Sequence, residues 1–189
     1  MLATLQALYL FGPLLLASAL SAIVLKYDLL RSLRRPIDHG WKVRGRRIFG
    51  DSKTWRGVVV AVVGCVAGVA IQRAVAGDHL ASISLVDYRA LDFVPFGISM
   101  GIGAMLGELP NSFIKRQLGI APGKTTTGPL RGVFYLWDQV DLIAGAWLTI
   151  SPWVRPSPGV VVASFVLAAV IHPTVSLVGY LIGARSSAR

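Results

Sequence analysis

Five apolar runs, at roughly 3–25, 57–76, 91–109, 133–150 and 158–183, take up most of the 189 residues. A helix needs about 20 mostly apolar residues to cross the hydrocarbon core of a bilayer. Inside lipid the backbone must satisfy its own hydrogen bonds, which a helix does within one segment. The sequence therefore predicts an all-α, polytopic membrane protein with about five transmembrane helices. It reads as a single integral membrane domain over 1–189, with cytoplasmic loops at 26–56 and 110–132. Over half the residues are apolar, only 15% are charged and mean hydropathy is +0.63, which leaves no room for a soluble domain with its own core. Function must then sit at the membrane.

Charge sorts the connections by side. No Lys or Arg precedes the first run, so it does not read as a signal peptide. Lys26, Arg31, Arg34, Arg35, Lys42, Arg44, Arg46, Arg47, Lys53 and Arg56 follow it, the pattern of a cytoplasmic loop. The connection 77–90 has Arg89 against Asp78 and Asp87 and reads as external. Lys115, Arg116, Lys124 and Arg131 return the third connection to the cytoplasm, and Arg185 and Arg189 place the tail there too. The N-terminus is thus outside and the C-terminus inside. The net charge of +10 is sorted by membrane side, which argues against nucleic acid and for anionic lipids or phosphorylated substrates.

Several residues read as architecture. Gly64 and Gly68, Gly97 and Gly101, and Gly103 and Gly107 repeat at the spacing that lets helices approach closely in lipid. Packing within the chain is the simpler explanation, and a homodimer face is the other. Pro110 is expected to end or kink the third helix just after Glu108, and Pro173, after His172, to interrupt the fifth. Trp55, Trp137, Trp147 and Trp153 fall near run ends, where an aromatic belt is expected. Cys65, the sole cysteine, rules out an intramolecular disulfide and reads as a buried small hydrophobe.

Chemistry concentrates in three places. Asp138 and Asp141 lie i, i+3 on one face of an otherwise apolar run. Ionised groups at that depth are costly and need a partner. A proton or sodium pathway, a metal site for phosphoryl chemistry and an interhelical ion pair all use such groups. No basic residue lies deep in another run, which weakens the ion pair. Gly107-Glu-Leu-Pro-Asn-Ser-Phe-Ile-Lys-Arg-Gln-Leu-Gly119 ends a membrane helix with Glu108 and follows it with Ser112, Lys115 and Arg116. If 111–118 is helical, Ser112 and Lys115 share a face near Glu108, and three carboxylates could converge on a divalent cation. The loop from Pro36 to Gly57 mixes glycines with Arg, Lys, Ser and Thr donors suited to phosphate. By contrast Gly119-Ile-Ala-Pro-Gly-Lys-Thr125 falls one residue short of a P-loop and has no preceding strand, so Lys124 reads as part of a flexible connection.

Pro-Ile-Asp-His-Gly, Arg-Arg-Ile-Phe-Gly-Asp-Ser-Lys-Thr-Trp-Arg-Gly, Ser-Phe-Ile-Lys-Arg and Asp-Gln-Val-Asp, in that order, resemble the CDP-archaeol synthase family. These are small membrane cytidylyltransferases with five spans. Gly-acid-Leu, Ser-x-x-Lys-Arg and Asp-x-x-Asp also resemble the signature of phosphatidate cytidylyltransferase. The chain lacks that enzyme's Lys-Asp and His-Gly-Gly elements between Arg116 and Asp138, which favours the archaeol branch. The resemblance implies transfer of a cytidylyl group from CTP to a membrane lipid phosphate, with release of pyrophosphate, at a membrane site facing the cytoplasm. Glu108 stands where the family usually has a metal-binding Asp, and its extra methylene changes the reach of that carboxylate.

On this reading Glu108, Asp138 and Asp141 hold Mg²⁺, while Lys53, Thr54, Arg47, Arg56, Ser112, Lys115 and Arg116 take the phosphates. Asp38 and Asp51 orient basic residues of the loop behind them. Lys53 and Lys115 join the three carboxylates as catalytic candidates, and no protein nucleophile is needed. The competing function is a small cation-coupled transporter that uses the acidic pair as its ion site; a noncatalytic scaffold would tolerate loss of all three carboxylates. The tail chemistry of the lipid is not written in the sequence.

Overall fold

The computed structural model describes residues 1–122, 124, 129–181 and 183, without the side chains of residues 172 and 176. Five long helices make up the protein: α1 (Leu2–Lys26), α2 (Trp55–Val75), α3 (Phe93–Gln117), α4 (Arg131–Ile150) and α5 (Pro158–Leu181). A two-residue-per-strand hairpin, β1 (Lys42–Val43) with β2 (Arg46–Arg47), interrupts the loop between α1 and α2. Arg44 and Gly45 form its turn, both with positive φ (52° and 78°), as a right-twisted two-residue hairpin demands. Each helix packs on its neighbour in sequence, and α5 returns to α1, so the bundle closes on itself. The α3–α4 contact is the most extensive.

α1, α2, α3 and α5 are each long and apolar enough to cross a membrane. α4 falls outside that group, because Asp138, Gln139 and Asp141 lower the hydropathy of its middle. The glycine pairs pack inside the chain. A Cβ on Gly64 would lie 2.5 Å from the Ala17 Cα of α1, and one on Gly101 2.7 Å from the Val62 Cα of α2. Gly103 and Gly107 of α3 close onto Gly145 of α4 in the same way. Cys65 is fully buried, as expected. Trp147 is not a belt residue: it packs edge-on against Phe11 of α1 and donates to Ser164 of α5 at 2.9 Å.

Neither proline ends its helix. α3 runs through Pro110 to Gln117, and α5 runs through Pro173 to Leu181. A proline inside a helix removes one backbone bond and crowds one carbonyl, and close packing on a neighbour offsets that, as the glycine contacts with α4 do along α3. The third connection therefore shortens from 110–132 to 118–130, and the polar residues 111–117 ride on the helix. Pro13 makes the same point in α1. It leaves the Tyr9 carbonyl without its helical donor, and Nε2 of buried Gln72, from α2, donates to that carbonyl instead. The P-loop-like residues Gly123 and Thr125, the tail arginines 185 and 189 and the His172 side chain lie outside the described residues.

Candidate functional site

The loop between α1 and α2 is organised around one carboxylate. Asp38 accepts the backbone N–H groups of Gly40 (3.1 Å), Phe49 (2.9 Å) and Gly50 (3.0 Å) and the Arg47 guanidinium (2.6 Å). Burial alone would raise its pKa; the Arg47 bond and the three amides outweigh that and hold it well below the usual carboxylate range. The other edge of the Arg47 guanidinium donates to Asp51 at 2.8 Å. Arg46 donates to the Gln117 carbonyl, and Gln117 Nε2 donates to the Arg47 carbonyl at 3.3 Å. These bonds fasten the hairpin to the end of α3.

This arrangement separates the residues expected to hold phosphate. Arg47 is committed to Asp38 and Asp51. Arg56 is buried, with its guanidinium on Asp28 (2.8 Å) and the Leu29 carbonyl (3.2 Å), which ties α2 to the end of α1. Thr54 caps α2 by accepting the Gly57 N–H at 3.3 Å. None of the three is among the residues that line the cavity described next. The charge-rich sequence did not distinguish them from Lys53, which does face it.

A cavity of about 920 Å³ opens between the helices. Its polar end is lined by Lys53, Glu108, Asn111, Ser112, Lys115, Arg116, Lys124, Asp138 and Asp141. The far wall is apolar, with Leu8, Phe11 and Leu15 of α1 and Leu167 and Ile171 of α5. Because α3 stays helical past Pro110, positions 108, 111, 112 and 115 share one face. α4 supplies Asp138 and Asp141 opposite. Lys124, read from sequence as part of a connection, lines the cavity as well.

Within the site, Lys53 pairs with Glu108 and Lys115 with Asp138. These bases do not come from deep within another apolar run: one lysine comes from the loop and one from the continued α3. Asn111, not singled out in the sequence, joins the two aspartates. Its Nδ2 donates to Asp138 Oδ1 at 2.6 Å and to Asp141 Oδ2 at 2.9 Å. The carboxylates of the pair thus lie within one hydrogen bond of a single nitrogen. Asp141 also accepts the Leu142 N–H at 2.8 Å. The predicted convergence of three carboxylates on one ion is not found: among the described residues no three His, Cys, Asp or Glu side chains form such a group. Glu108 leans to Lys53 instead. Arg116, Lys124 and Arg131 also line the cavity, and Arg116 has its Nε and Nη1 buried without a hydrogen-bond partner among the described residues.

Comparisons with known proteins place this geometry. A family model described as CarS-like, CDP-archaeol synthase, matches residues 2–187. A CDP-archaeol synthase of Methanosarcina barkeri is 30% identical, covering 80% of this chain and 88% of that protein. One from Halobacterium salinarum is 33% identical over 80% of this chain and 81% of its own length. Among solved structures, an intramembrane enzyme for archaeal membrane lipids biosynthesis aligns with a TM-score of 0.63 at 26% identity, covering 89% of this chain and 90% of that one.

Proposed function

The chain belongs to the CDP-archaeol synthase family, and from that premise we propose that it joins the cytidylyl group of CTP to an isoprenoid-ether glycerol phosphate. Membership makes it a multi-pass membrane enzyme and a CTP-dependent lipid-phosphate cytidylyltransferase. The observation that carries the finer reading is the make-up of one cavity. Carboxylates, lysines and an arginine that has no acceptor among the described residues meet at one end, and an apolar wall continues from them. A lipid phosphate is amphipathic in the same sense. Its head needs cations, and its tails need an apolar path between helices. The positive charge of the loop that holds Lys53 supports a cytoplasmic polar end, the side where CTP is found.

The residues suit a divalent cation without three carboxylates. Mg²⁺ is commonly held by one or two carboxylates together with substrate phosphates, and Asp138 and Asp141 provide such a pair. When bound, Mg²⁺ supplies neutralisation between two anionic reactants. The protein does the rest by position. The planar Arg116 guanidinium, which lines the cavity, offers N–H donors suited to phosphate oxygens. Lys53 and Lys115 hold Glu108 and Asp138 until a triphosphate competes for their ammonium groups. An oxygen of the lipid phosphate attacks the α-phosphorus of CTP, and the bond to the β-phosphate oxygen breaks. The new phosphoanhydride stays on the lipid and pyrophosphate leaves with the electron pair. No side chain forms a covalent intermediate.

The transporter alternative finds no support in these relatives. The deciding assay supplies purified protein with CTP labelled at the α-phosphate, Mg²⁺ and a panel of ether, ester and polyprenyl phosphates. Label should move into the lipid phase, most rapidly with the isoprenoid ether. Label that stays aqueous with every acceptor would sink the proposal, and a preference for the ester lipid would overturn its choice of acceptor.

A further inference from the structure

Asn111 is the only asparagine in the chain, and it sits where two carboxylates of another helix meet. Its side chain is forced into one orientation. Both neighbours are carboxylate acceptors, so the amide nitrogen must face them and use one hydrogen on each. That commitment leaves the carbonyl oxygen over. Among the described residues the buried Oδ1 has no hydrogen-bond partner, on a residue only 2% exposed that lines the cavity beside the acidic pair. A buried amide carbonyl without a donor is rare and asks for an explanation. Here the explanation is local: a hard, neutral oxygen beside two hard, anionic ones is the donor set that a small divalent cation takes.

We propose that Asn111 positions Asp138 and Asp141 and lends its carbonyl oxygen to the divalent-cation site they form; the cytidylyltransferase reading enters only in what that cation then does. Two carboxylates three residues apart on one helix repel and swing outward unless something holds them. Asn111 draws both toward α3 through one planar group, so their separation is set by the α3–α4 contact and not by side-chain freedom. It also adds coordination without adding charge. That matters where Lys53 and Lys115 already offset much of the acidic charge.

The uniqueness of Asn111 makes the test direct. Protein grown on asparagine labelled with ¹³C at the side-chain carbonyl carries one labelled asparagine. With Mn²⁺ added to the purified, detergent-solubilised protein, electron–nuclear double resonance should show ¹³C coupling to the bound ion. Bound Mn²⁺ without that coupling removes Asn111 from the coordination sphere and overturns the ligand assignment, as does an absence of bound Mn²⁺. Asn111→Leu keeps the shape and removes both functions, and it should weaken Mn²⁺ binding at least tenfold. Asn111→Ser, which cannot bridge the pair, provides a second variant should the first fail to fold. In Asn111→Ser the Mg²⁺ needed for half-maximal transfer should rise at least tenfold, while KM for CTP at saturating Mg²⁺ changes less than threefold. Wild-type Mn²⁺ affinity in either folded variant overturns the positioning role. Cytidylyl transfer by the wild type is measured separately. If it fails while the ¹³C coupling is present, the catalytic reading falls and the cation site stands.

Discussion

Arg116 separates stability from activity, because its two buried donors have no acceptor among the described residues. Leaving a buried donor unpaired costs about 1–3 kcal/mol, and more when it is charged. A phosphate on one edge of the guanidinium satisfies one of those two donors and makes up to two charge-assisted bonds, each contributing about 1.5–3 kcal/mol. Replacing Arg116 by Met should therefore forfeit about 3–6 kcal/mol of transition-state and substrate binding. At 1.36 kcal/mol per decade this is a loss of roughly 10²–10⁴ in kcat/KM for CTP. The same change deletes an unsatisfied group from the free protein, so its melting temperature should hold or rise. Arg116→Lys keeps the charge but loses the planar fork, and should fall between the two. The assay is label transfer from CTP across a concentration series, paired with scanning fluorimetry in detergent with and without CTP. A methionine variant within threefold of wild type in kcat/KM, or one that melts well below wild type without nucleotide, would refute the reasoning.

Asp138→Asn and Asp141→Asn should each reduce transfer by at least 10²-fold while the proteins still elute as folded species, since Lys115 and Asn111 keep other partners nearby; activity near wild type in both would remove the acidic pair from the chemistry. Gln72→Leu should destabilise the bundle by about 1–3 kcal/mol by stranding the Tyr9 carbonyl that Pro13 leaves unpaired. The cost should shrink in a Pro13→Ala background, where the restored N–H makes the helical bond, and a double-mutant cycle with no coupling would contradict this. Asp38 titrates below its unfolded value of about 3.9, so its hold on the loop is complete above about pH 4 and is lost only as pH falls through the depressed folded value. Hydrogen exchange of the 38–50 segment, corrected for intrinsic rates, should stay protected from pH 7 down to about 4 and then rise, while Asp38→Asn should be unprotected throughout.

What could be read in the sequence follows from what each signal depends on. The five helices were legible because apolar run length is a property of the segment alone. Their proline positions were not, because whether a proline stops a helix depends on what packs beside it. α3 continues past Pro110 on the strength of its contact with α4, and the sequence of α3 does not contain that contact. Asp138 and Asp141 stood out for charge in an apolar run. Lys53, Arg47 and Arg56 looked alike in one cationic loop, yet the fold turns Lys53 to the cavity and spends Arg47 and Arg56 on Asp38, Asp51 and Asp28. Asn111 gave one faint mark, its uniqueness, because an amide carries no charge to draw notice.

The site and the fold are the same contact. A helix with two aspartates in its middle is a poor membrane segment by itself, and α4 is the long helix that fails the apolar test. It is retained because α3 brings an amide and a lysine to those carboxylates. That approach needs the backbones to touch, and Gly103, Gly107 and Gly145 are where they do: a Cβ on Gly107 would enter the Gly145 backbone at 2.9 Å. An alanine at Gly107 or Gly145 pushes the helices apart along the stretch that carries Asp141 and Asn111. The two hydrogen bonds from Asn111, at 2.6 and 2.9 Å, have no slack for such a shift. The glycines thus belong to the chemistry as much as to the packing, since they fix the distance at which acidic and amide groups meet.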